Sequence, residues 1–246
     1  MLNAPCQILD WDTSFFGFRI ARIGANHLRP SDMAAIDDWC EREKVRCLYL
    51  LAASNNIQTT MLAEGHGFHL VDIRITLQRQ VKPPYGHASH VRPVRPDDIA
   101  ALSAIASTSH TDSRFYQDHG FPRSRCDEFY RTWIERSCKG WAQFVFVFDR
   151  DDRPSGYITC HHDGENGQIG LMAVADWARG QRIASSLVET AISAFAEIGV
   201  RESTVVTQGR NISALRLYQK CGFAIRSVEL WYHRWFERSD LHNQLR

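Results

Sequence analysis

The segment between residues 203 and 223 constrains the fold of this 246-residue chain more than any other. An apolar, β-branched run at 203–206 predicts a strand, and the residues after it predict a short helix that opens at Asn211 and stops before Gly222. Asn211 and Tyr218 stand about two turns apart at roughly 3.6 residues per turn, so their side chains share a face. Beside a strand end, the amide could fix a ligand and the phenol could exchange a proton with it.

A second strand-to-helix transition lies upstream. Residues 171–174 predict a buried strand, which passes through a turn containing Gly180 into a helix with apolar positions at helical spacing. Free backbone N–H groups and the positive end of the helix dipole converge at such a helix start and favour an anion. Arg179 and Arg182 add charge suited to phosphate oxygens. The sequence therefore predicts a phosphate site in the turn at 179–184.

Together these stretches resemble the acetyl-coenzyme A binding motifs of the GCN5-related N-acetyltransferase (GNAT) superfamily. The superfamily's pyrophosphate motif, Arg/Gln-x-x-Gly-x-Gly/Ala, maps onto Arg179, Arg182 and Ala184. Arg182 stands where the superfamily usually has Gly. The resemblance implies that the amide of residue 182 still binds phosphate, while its side chain either points away or joins in the binding.

Further stretches at 11–17, 113–116, 129–135 and 206–208 are similar to the TDP-fucosamine acetyltransferase family. Those enzymes N-acetylate a nucleotide-linked 4-amino-4,6-dideoxy sugar. The similarity spans most of the chain and is loosest over residues 25–90. It implies an N-acetyltransferase that uses acetyl-coenzyme A as co-substrate and a nucleotide-linked amino sugar as acceptor.

The resemblance also implies individual roles. Tyr218 would be the catalytic general acid that protonates the leaving sulfur, and Asn211 would hold the coenzyme or a bridging water. Backbone amides of the strand at 168–174 would bind the pantetheine and the thioester carbonyl where two strands splay apart. The complete coenzyme set expected is Leu171, Met172, Ala173, Val174, Arg179, Gly180, Gln181, Arg182, Ile183, Ala184 and Asn211.

Each of these residues also has a purely structural interpretation. Tyr218 could be an ordinary amphipathic helix residue, Asn211 could be only an N-cap, and Arg182 could be a solvated helix charge. The sequence contains no evident general base. His161 and His162 are adjacent on a predicted strand and therefore point to opposite faces, so at most one could enter the cleft. The resemblance implies proton transfer through ordered water instead.

An acceptor pocket is expected from the polar stretch at 107–124 together with the N-terminal unit. Arg114, Phe115 and Tyr116 in this stretch are the predicted substrate-binding residues, because an arginine beside aromatic rings suits a nucleotide diphosphate with a stacked base. A long irregular connection inside a compact domain is uncommon unless it is functional. An ordinary surface excursion is the alternative.

The predicted fold class is α/β (α+β). It consists of a GNAT fold with a central mixed, largely antiparallel sheet at 91–246 and a smaller α/β domain at 1–85 that shapes the substrate site. Residues 81–91 lack periodicity and contain turn formers, which predicts a linker. Residues 16–23 predict a strand near the start of the chain.

Composition restricts the partners. A formal net charge of +1 provides no global field for nucleic acid or an anionic membrane, so any phosphate binding has to be local. Seven cysteines without paired metal-ligand spacing argue against a disulfide framework and against a metal site. The chain shows no signal-like start and no apolar run near the roughly 18 residues that span a bilayer, which favours a cytoplasmic protein. The expected partner is a small-molecule amine, and a homodimer is compatible with the sequence.

Three hypotheses follow. The first is an N-acetyltransferase for a nucleotide-linked amino sugar, and the second is one for another small amine such as an aminoglycoside, an amino acid or an antibiotic intermediate. The third is a coenzyme A binding module without catalysis, which the arginine at 182 motivates and the presence of Tyr218 opposes.

Overall fold

The computed structural model describes residues 4–82, 89–151 and 153–236. The chain divides into two compact units. Unit 1 is formed by the described parts of residues 1–74, 117–121 and 228–246, and unit 2 by those of residues 75–116 and 122–227. The boundaries of these units differ from the predicted ranges 1–85 and 91–246, which stay a prediction: the described residues 75–82 belong to unit 2, and residues 117–121 and 228–236 belong to unit 1. Residues 83–88 of the predicted linker lie outside the described part of the chain.

Unit 1 combines a sheet with three helices. Its strand order is β1-β2-β3-β10-β4, with β2 and β3 parallel, and with β1–β2 and β3–β10 antiparallel. β4 and β10 each have one end in unit 1 and the other in unit 2. The elements are β1 (Cys6–Ile8), α1 (Asp10–Phe16), β2 (Ile20–Ile23), α2 (Pro30–Arg42), β3 (Cys47–Ala53), α3 (Ile57–Gly65), β4 (His69–Gln80) and β10 (Ala224–Trp235).

The predicted strand at 16–23 was wrong in its first half. Residues Asp10–Phe16 form a helix, which ends at Gly17 with φ 78° in the left-handed region, and the strand begins only at Ile20. Asp10 and Asp12 lie in the first turn of this helix, where the helix dipole favours acidic side chains. These start and stop signals favour a helix here and outweigh the strand propensity of the aromatic residues in the segment.

The segment 117–121 is fastened to the last strand of unit 1 through Asp118. Nδ1 of buried His233 lies 2.6 Å from Oδ2 of Asp118, and Trp235 Nε1 and the Gly120 amide donate to the same carboxylate. Burial would raise the pKa of Asp118, but the hydrogen bonds from His233, Gly120 and Trp235 together hold it below its ordinary value. The Cys47 thiol belongs to the same close group. Because N–H donors engage both carboxylate oxygens, we interpret the group as a structural tie.

Unit 2 has the strand order β4-β9-β8-β7-β6-β5. The pairs β5–β6, β6–β7 and β7–β8 are antiparallel and β8–β9 is parallel, so the predicted mixed, largely antiparallel sheet is confirmed. The elements not yet named are β5 (Val91–Pro93), α4 (Ile99–Ser109), α5 (Arg114–Gln117), α6 (Arg123–Arg136), β6 (Phe144–Arg150), β7 (Arg153–His162), β8 (Asn166–Val174), α7 (Ile183–Glu197), β9 (Glu202–Gln208) and α8 (Ile212–Lys220).

Helix α7 shows how the sequence pattern fixes the core of unit 2. Ile183, Leu187, Ala191 and Phe195 recur at helical spacing, and each is at most 2 % exposed. Ile198, which the same pattern includes, lies at the C-cap and is 43 % exposed. The apolar face therefore ends with the helix, one residue earlier than the periodicity suggests.

The stretch at 107–124 is not one long loop. Helix α4 continues to Ser109, the short helix α5 interrupts the stretch, and α6 begins at Arg123. The last element of the described residues is the single long strand β10. Among the described helices, none combines the length and the apolar character that crossing a membrane requires.

Candidate functional site

Parallel strands β8 and β9 separate partway along their length. Their pairing runs from Asn166 opposite Glu202 to Ile169 opposite Val205. β8 then continues to Val174 while it remains paired with β7. The edge of β8 that faced β9 is therefore released from pairing over residues 170–174, and backbone groups on that edge become available to a ligand.

A β-bulge lies where the separation begins. Ile158 of β7 pairs with Met172 and Cys160 pairs with Ile169, so two residues of β8 stand opposite Thr159 alone. The Leu171 amide donates a 2.8 Å hydrogen bond to Oγ1 of Thr159, which satisfies the backbone group that the bulge displaces. The bulge re-aims the strand at the start of the opening.

The side chains of the predicted coenzyme residues on β8 alternate between buried and half-buried positions. Leu171 and Ala173 are 7 % and 6 % exposed, whereas Met172 and Val174 are half-buried. If this strand binds a ligand, its contribution is thus the backbone together with apolar side chains.

The turn between β8 and α7 has the backbone of a glycine-rich loop. Gly180 has φ 80°, and Arg182 has φ 61° although it is not glycine. A Cβ added at Gly180 would meet nothing within 4 Å, so the turn is open around this residue. Arg182 is the N-cap of α7 and forms no side-chain cap hydrogen bond, which leaves the first amides of a 15-residue helix for an external acceptor.

The charges predicted to bind phosphate are exposed. Arg179 forms a 2.7 Å ion pair with Asp176, with 61 % and 72 % of the two side chains accessible. Such an exposed pair contributes only about 0–1 kcal/mol, so the guanidinium is free to exchange to a stronger anion. Arg182 and Gln181 are exposed on the same turn, Ile183 is buried and Ala184 is half-buried.

The turn between β9 and α8 is built differently. Asn211 is the N-cap of α8, and its Oδ1 accepts hydrogen bonds from the Ala214 amide at 3.0 Å and from Oγ of Ser213 at 2.9 Å. Its capping role, one of the two interpretations given above, is therefore observed. This helix satisfies its own first turn with a side chain.

Tyr218 lies on α8 and is 4 % exposed. Its ring packs edge-to-face against Phe223 with 5.7 Å between centroids. Burial, followed by the nearby thiols of Cys221 and Cys160, raises the pKa of Tyr218 above its ordinary value. The phenol is therefore protonated at neutral pH, as a proton donor has to be. The end of α8 is tied to β4 by Nη1 of Arg79, which donates to the Cys221 carbonyl at 2.5 Å.

The predicted substrate residues lie on α5 and contact α6. The guanidinium of Arg114 lies 4.3 Å from the Phe115 ring centroid, and buried Phe115 packs on Phe129 at 4.7 Å. The Tyr116 hydroxyl donates to Oδ1 of Asp127 at 2.5 Å. Of the three residues, Phe115 and Tyr116 bury their rings, at 3 % and 7 % exposure.

A buried aromatic chain that the sequence did not reveal connects α5 to β7. Tyr116 stacks on Tyr130, Tyr130 stacks on His110, and His110 Nε2 lies 2.9 Å from the Tyr157 hydroxyl. Burial lowers the pKa of His110 to about 4, so its imidazole is neutral at pH 7. No local spacing relates these positions, and only the paired strands and packed helices bring them together.

Comparison with known proteins agrees with this geometry. The sequence pattern of the Acetyltransferase (GNAT) family matches residues 106–223, a range that contains β8, α7, β9 and α8. The match therefore covers both strand-to-helix turns described above.

Two curated relatives have informative names. "Spore coat polysaccharide biosynthesis protein SpsD" of Bacillus subtilis is 30 % identical over 143 residues, which is 58 % of this chain and 50 % of that protein. "N-alpha-acetyltransferase MAK3" of Arabidopsis thaliana is 35 % identical over 97 residues, which is 38 % of this chain and 50 % of that protein. The chain thus spans about half the length of these relatives.

Among solved structures, a GCN5-related N-acetyltransferase from Sphaerobacter thermophilus superposes with a TM-score of 0.65. The superposition covers 94 % of this chain and 76 % of that one at 14 % identity. At this identity the likeness supports the fold alone.

Proposed function

Because residues 106–223 match the sequence pattern of the Acetyltransferase (GNAT) family, we propose that this chain is an acyltransferase whose unit 2 binds acetyl-coenzyme A between β8 and β9 and acetylates a primary amine. The observation that carries the proposal is the opening of the two parallel strands after Ile169 and Val205, directly before a helix that lacks a side-chain cap. The released edge of β8 suits the pantetheine arm of the coenzyme, and the N-terminus of α7 suits its phosphates.

The turn at 179–184 would hold the pyrophosphate. The amides at the start of α7 donate to phosphate oxygens, Gly180 leaves room for their approach, and Arg179 and Arg182 neutralise the charge. The released edge of β8 at 170–174 would bind the pantetheine amides through its backbone. The thioester group supplied by the bound coenzyme is the acetyl donor.

Tyr218 would be the general acid. A phenol of ordinary pKa about 10 protonates a thiolate of parent pKa about 8.5 only when the two are aligned while the carbon–sulfur bond breaks. The raised pKa of Tyr218 keeps the proton on the oxygen until that moment. Asn211 caps α8 and thereby fixes the helix that carries Tyr218. Any contact of the Asn211 amide with the coenzyme is a further part of the proposal.

For the acceptor, a nucleotide-linked amino sugar is the first candidate. The name of the Bacillus subtilis relative places that protein in polysaccharide biosynthesis, which supports a sugar amine. Arg114 would meet the acceptor's diphosphate, beside Phe115 and Tyr116. The role of the N-terminal part of the chain in shaping the acceptor site stays a prediction.

A second candidate acceptor is the α-amine of a peptide or an amino acid. It is favoured by the similarity to two curated N-alpha-acetyltransferases, from Arabidopsis thaliana and Schizosaccharomyces pombe. Both candidate acceptors would react at the same coenzyme site, and they differ only in the amine that receives the acetyl group.

The test is thiol release from acetyl-coenzyme A with a panel of amines, with acetylated product identified by mass spectrometry. The panel contains nucleotide-linked amino sugars, the same sugars without nucleotide, free amino acids and short peptides. We expect turnover with the nucleotide-linked amino sugars and a loss of efficiency when the nucleotide is removed. Preferential turnover of peptides would favour the second candidate acceptor. The absence of acetylated product with every amine would contradict the proposed acetyltransferase function.

A further inference from the structure

His161 stands beside the point where β8 and β9 separate. It lies on β7 opposite Gln168 of β8, and its Nε2 lies 3.2 Å from the position that a Cβ on Gly170 would occupy. Gly170 directly follows Ile169, the last residue of β8 that pairs with β9. Because residue 170 has no side chain, the imidazole lies against the backbone of β8 at the start of the opening.

The two adjacent histidines of β7 face opposite sides of the sheet. His162 pairs with Gly167, where an added Cβ would meet the Phe195 ring of α7 at 2.9 Å, so His162 faces α7. His161 faces the other side together with Tyr157, whose hydroxyl hydrogen-bonds with His110, the C-cap of α4. His161 is thus on the face of the sheet opposite α7, the face that α4 contacts, and His162 is a natural control for it.

The surroundings of His161 keep it neutral and partly accessible. Trp141, in the helical turn after α6, meets its ring edge-to-face at 5.2 Å, and the Arg136 guanidinium lies 5.7 Å from the Trp141 ring centroid. The neighbours from the strands, Gln168 and Thr159, are uncharged. His161 is half-buried, and this burial lowers its pKa below the ordinary value. At neutral pH the imidazole is therefore mainly the unprotonated form that accepts a proton.

We propose that His161 is the general base of the acetyl transfer, an assignment that rests on the proposed function. Its Nε2 takes a proton from the ammonium group of the acceptor, directly or through one water. The freed nitrogen lone pair attacks the thioester carbonyl carbon, so that one nitrogen–carbon bond forms and one carbon–sulfur bond breaks. Tyr218 protonates the departing sulfur and regains a proton from the new amide nitrogen through water. The one net proton leaves from His161 to solvent.

The experiment compares His161→Gln with His162→Gln in single-turnover reactions between pH 5.5 and 9.5, using the best amine of the panel. General-base catalysis typically contributes about 10²–10⁴-fold, so we expect His161→Gln to lower the rate at pH 7 by at least about 10²-fold. The wild-type rate should rise with pH through the pKa of His161. In His161→Gln this rise should move up to the pKa of the acceptor amine. His162→Gln should keep the wild-type rate and profile.

A second readout is independent of turnover. Histidine ring signals followed by NMR across the same pH range should include one that is absent in His161→Gln, that titrates below the ordinary pKa of an imidazole, and that shifts when acetyl-coenzyme A is added. If His161→Gln fails to fold, His161→Ala with added imidazole takes its place, and imidazole should restore part of the rate.

The outcomes separate the two proposals. If wild-type protein acetylates no amine, the proposed function fails. If wild-type protein is active and His161→Gln keeps its rate and pH profile, or imidazole leaves His161→Ala unchanged, only the general-base assignment is overturned. Equal losses in the two histidine variants would likewise overturn it, since one of the two faces α7.

Discussion

The two strand-to-helix turns of unit 2 begin alike and end differently. Both follow a strand of the parallel pair β8–β9 and both start a helix. The turn after β8 has two residues with positive φ and no side-chain cap, whereas the turn after β9 is closed by the Asn211 side chain. The first turn therefore leaves helix amides for an external anion, and the second uses them internally to hold α8. Under the proposed function, binding takes place at the first turn, and the chemistry, through Tyr218, takes place on the helix that follows the second.

The largest effect is expected for Tyr218→Phe, which removes one hydroxyl and keeps the buried ring. If the hydroxyl protonates the leaving sulfur, the single-turnover rate should fall by roughly 10²–10⁴-fold. Acetyl-coenzyme A affinity should change little, because the lost interaction forms mainly in the transition state. Calorimetry and rapid quench on the same preparation measure both quantities. A near-wild-type single-turnover rate would show that Tyr218 only packs in the core and that α8 does not carry the catalytic acid.

In contrast to Tyr218→Phe, Gly180→Val should weaken the binding of acetyl-coenzyme A more than it lowers the rate of the chemical step. A β-branched residue at φ 80° is strained by about 1–2 kcal/mol, so the turn has to rearrange. We expect the Kd for acetyl-coenzyme A to weaken by about tenfold, which corresponds to about 1.4 kcal/mol. Gly199→Val is the matched control, because Gly199 also has φ 80° and open space around its Cβ position but follows the other end of α7. Equal affinity losses in both variants would mean that strain, and not the turn, is responsible.

Arg182→Gly should distinguish the contribution of the turn's backbone to coenzyme binding from the contribution of the arginine charge. The variant keeps a left-handed conformation more easily, so we expect the melting temperature to hold or rise slightly. The Kd for acetyl-coenzyme A should weaken about two- to fivefold, as loss of one exposed charge contact of up to about 1 kcal/mol implies, and its salt dependence should flatten. Arg182→Lys retains the charge and should stay near wild type. A gain in affinity in the glycine variant would show that the arginine obstructs the phosphate.

The smallest effect concerns the second turn. Asn211→Ala removes the N-cap of α8 and should lower the free energy of unfolding by about 0.5–2 kcal/mol, measured by urea denaturation. Asn211→Asp keeps the capping oxygen and should restore that stability while it lacks the amide donor. If the aspartate variant is stable but binds acetyl-coenzyme A weakly, Asn211 also contacts the ligand. Unchanged stability in the alanine variant would remove the contrast between the turns.

The local parts of this site could be predicted from the sequence, and the long-range parts could not. Helix α8 was expected from Asn211 to the glycine at 222 and observed at Ile212–Lys220, because capping chemistry acts within one turn. The bulge at Gly170 depends on the register between β7 and β8, and so does the face of His161. No pattern within a single element encodes that register, although a glycine inside a strand is a recognised signal of a bulge.

The return of residues 117–121 to unit 1 could not be predicted for the same reason. The segment is held by Asp118 against His233, which lies more than a hundred positions away in sequence. A hydrogen bond between groups so far apart leaves no periodicity and no local composition signal. The predicted division into residues 1–85 and 91–246 was drawn from the missing periodicity and the turn formers at 81–91, and these mark a break in local structure without showing which residues a later segment contacts.

Hydrogen exchange with and without acetyl-coenzyme A tests the central contrast between the two turns most directly. The ligand should protect amides at 180–185 and those on the released edge of β8 between 170 and 174, and it should leave the Ala214 amide, already bonded to Asn211, unchanged. 3′,5′-Adenosine diphosphate keeps one phosphate of the pyrophosphate and lacks the pantetheine, so it should protect the turn less than the coenzyme does and should leave 170–174 unprotected. Protection that appears at α8 and is absent from the turn after β8 would contradict the account, since the coenzyme would then lie elsewhere.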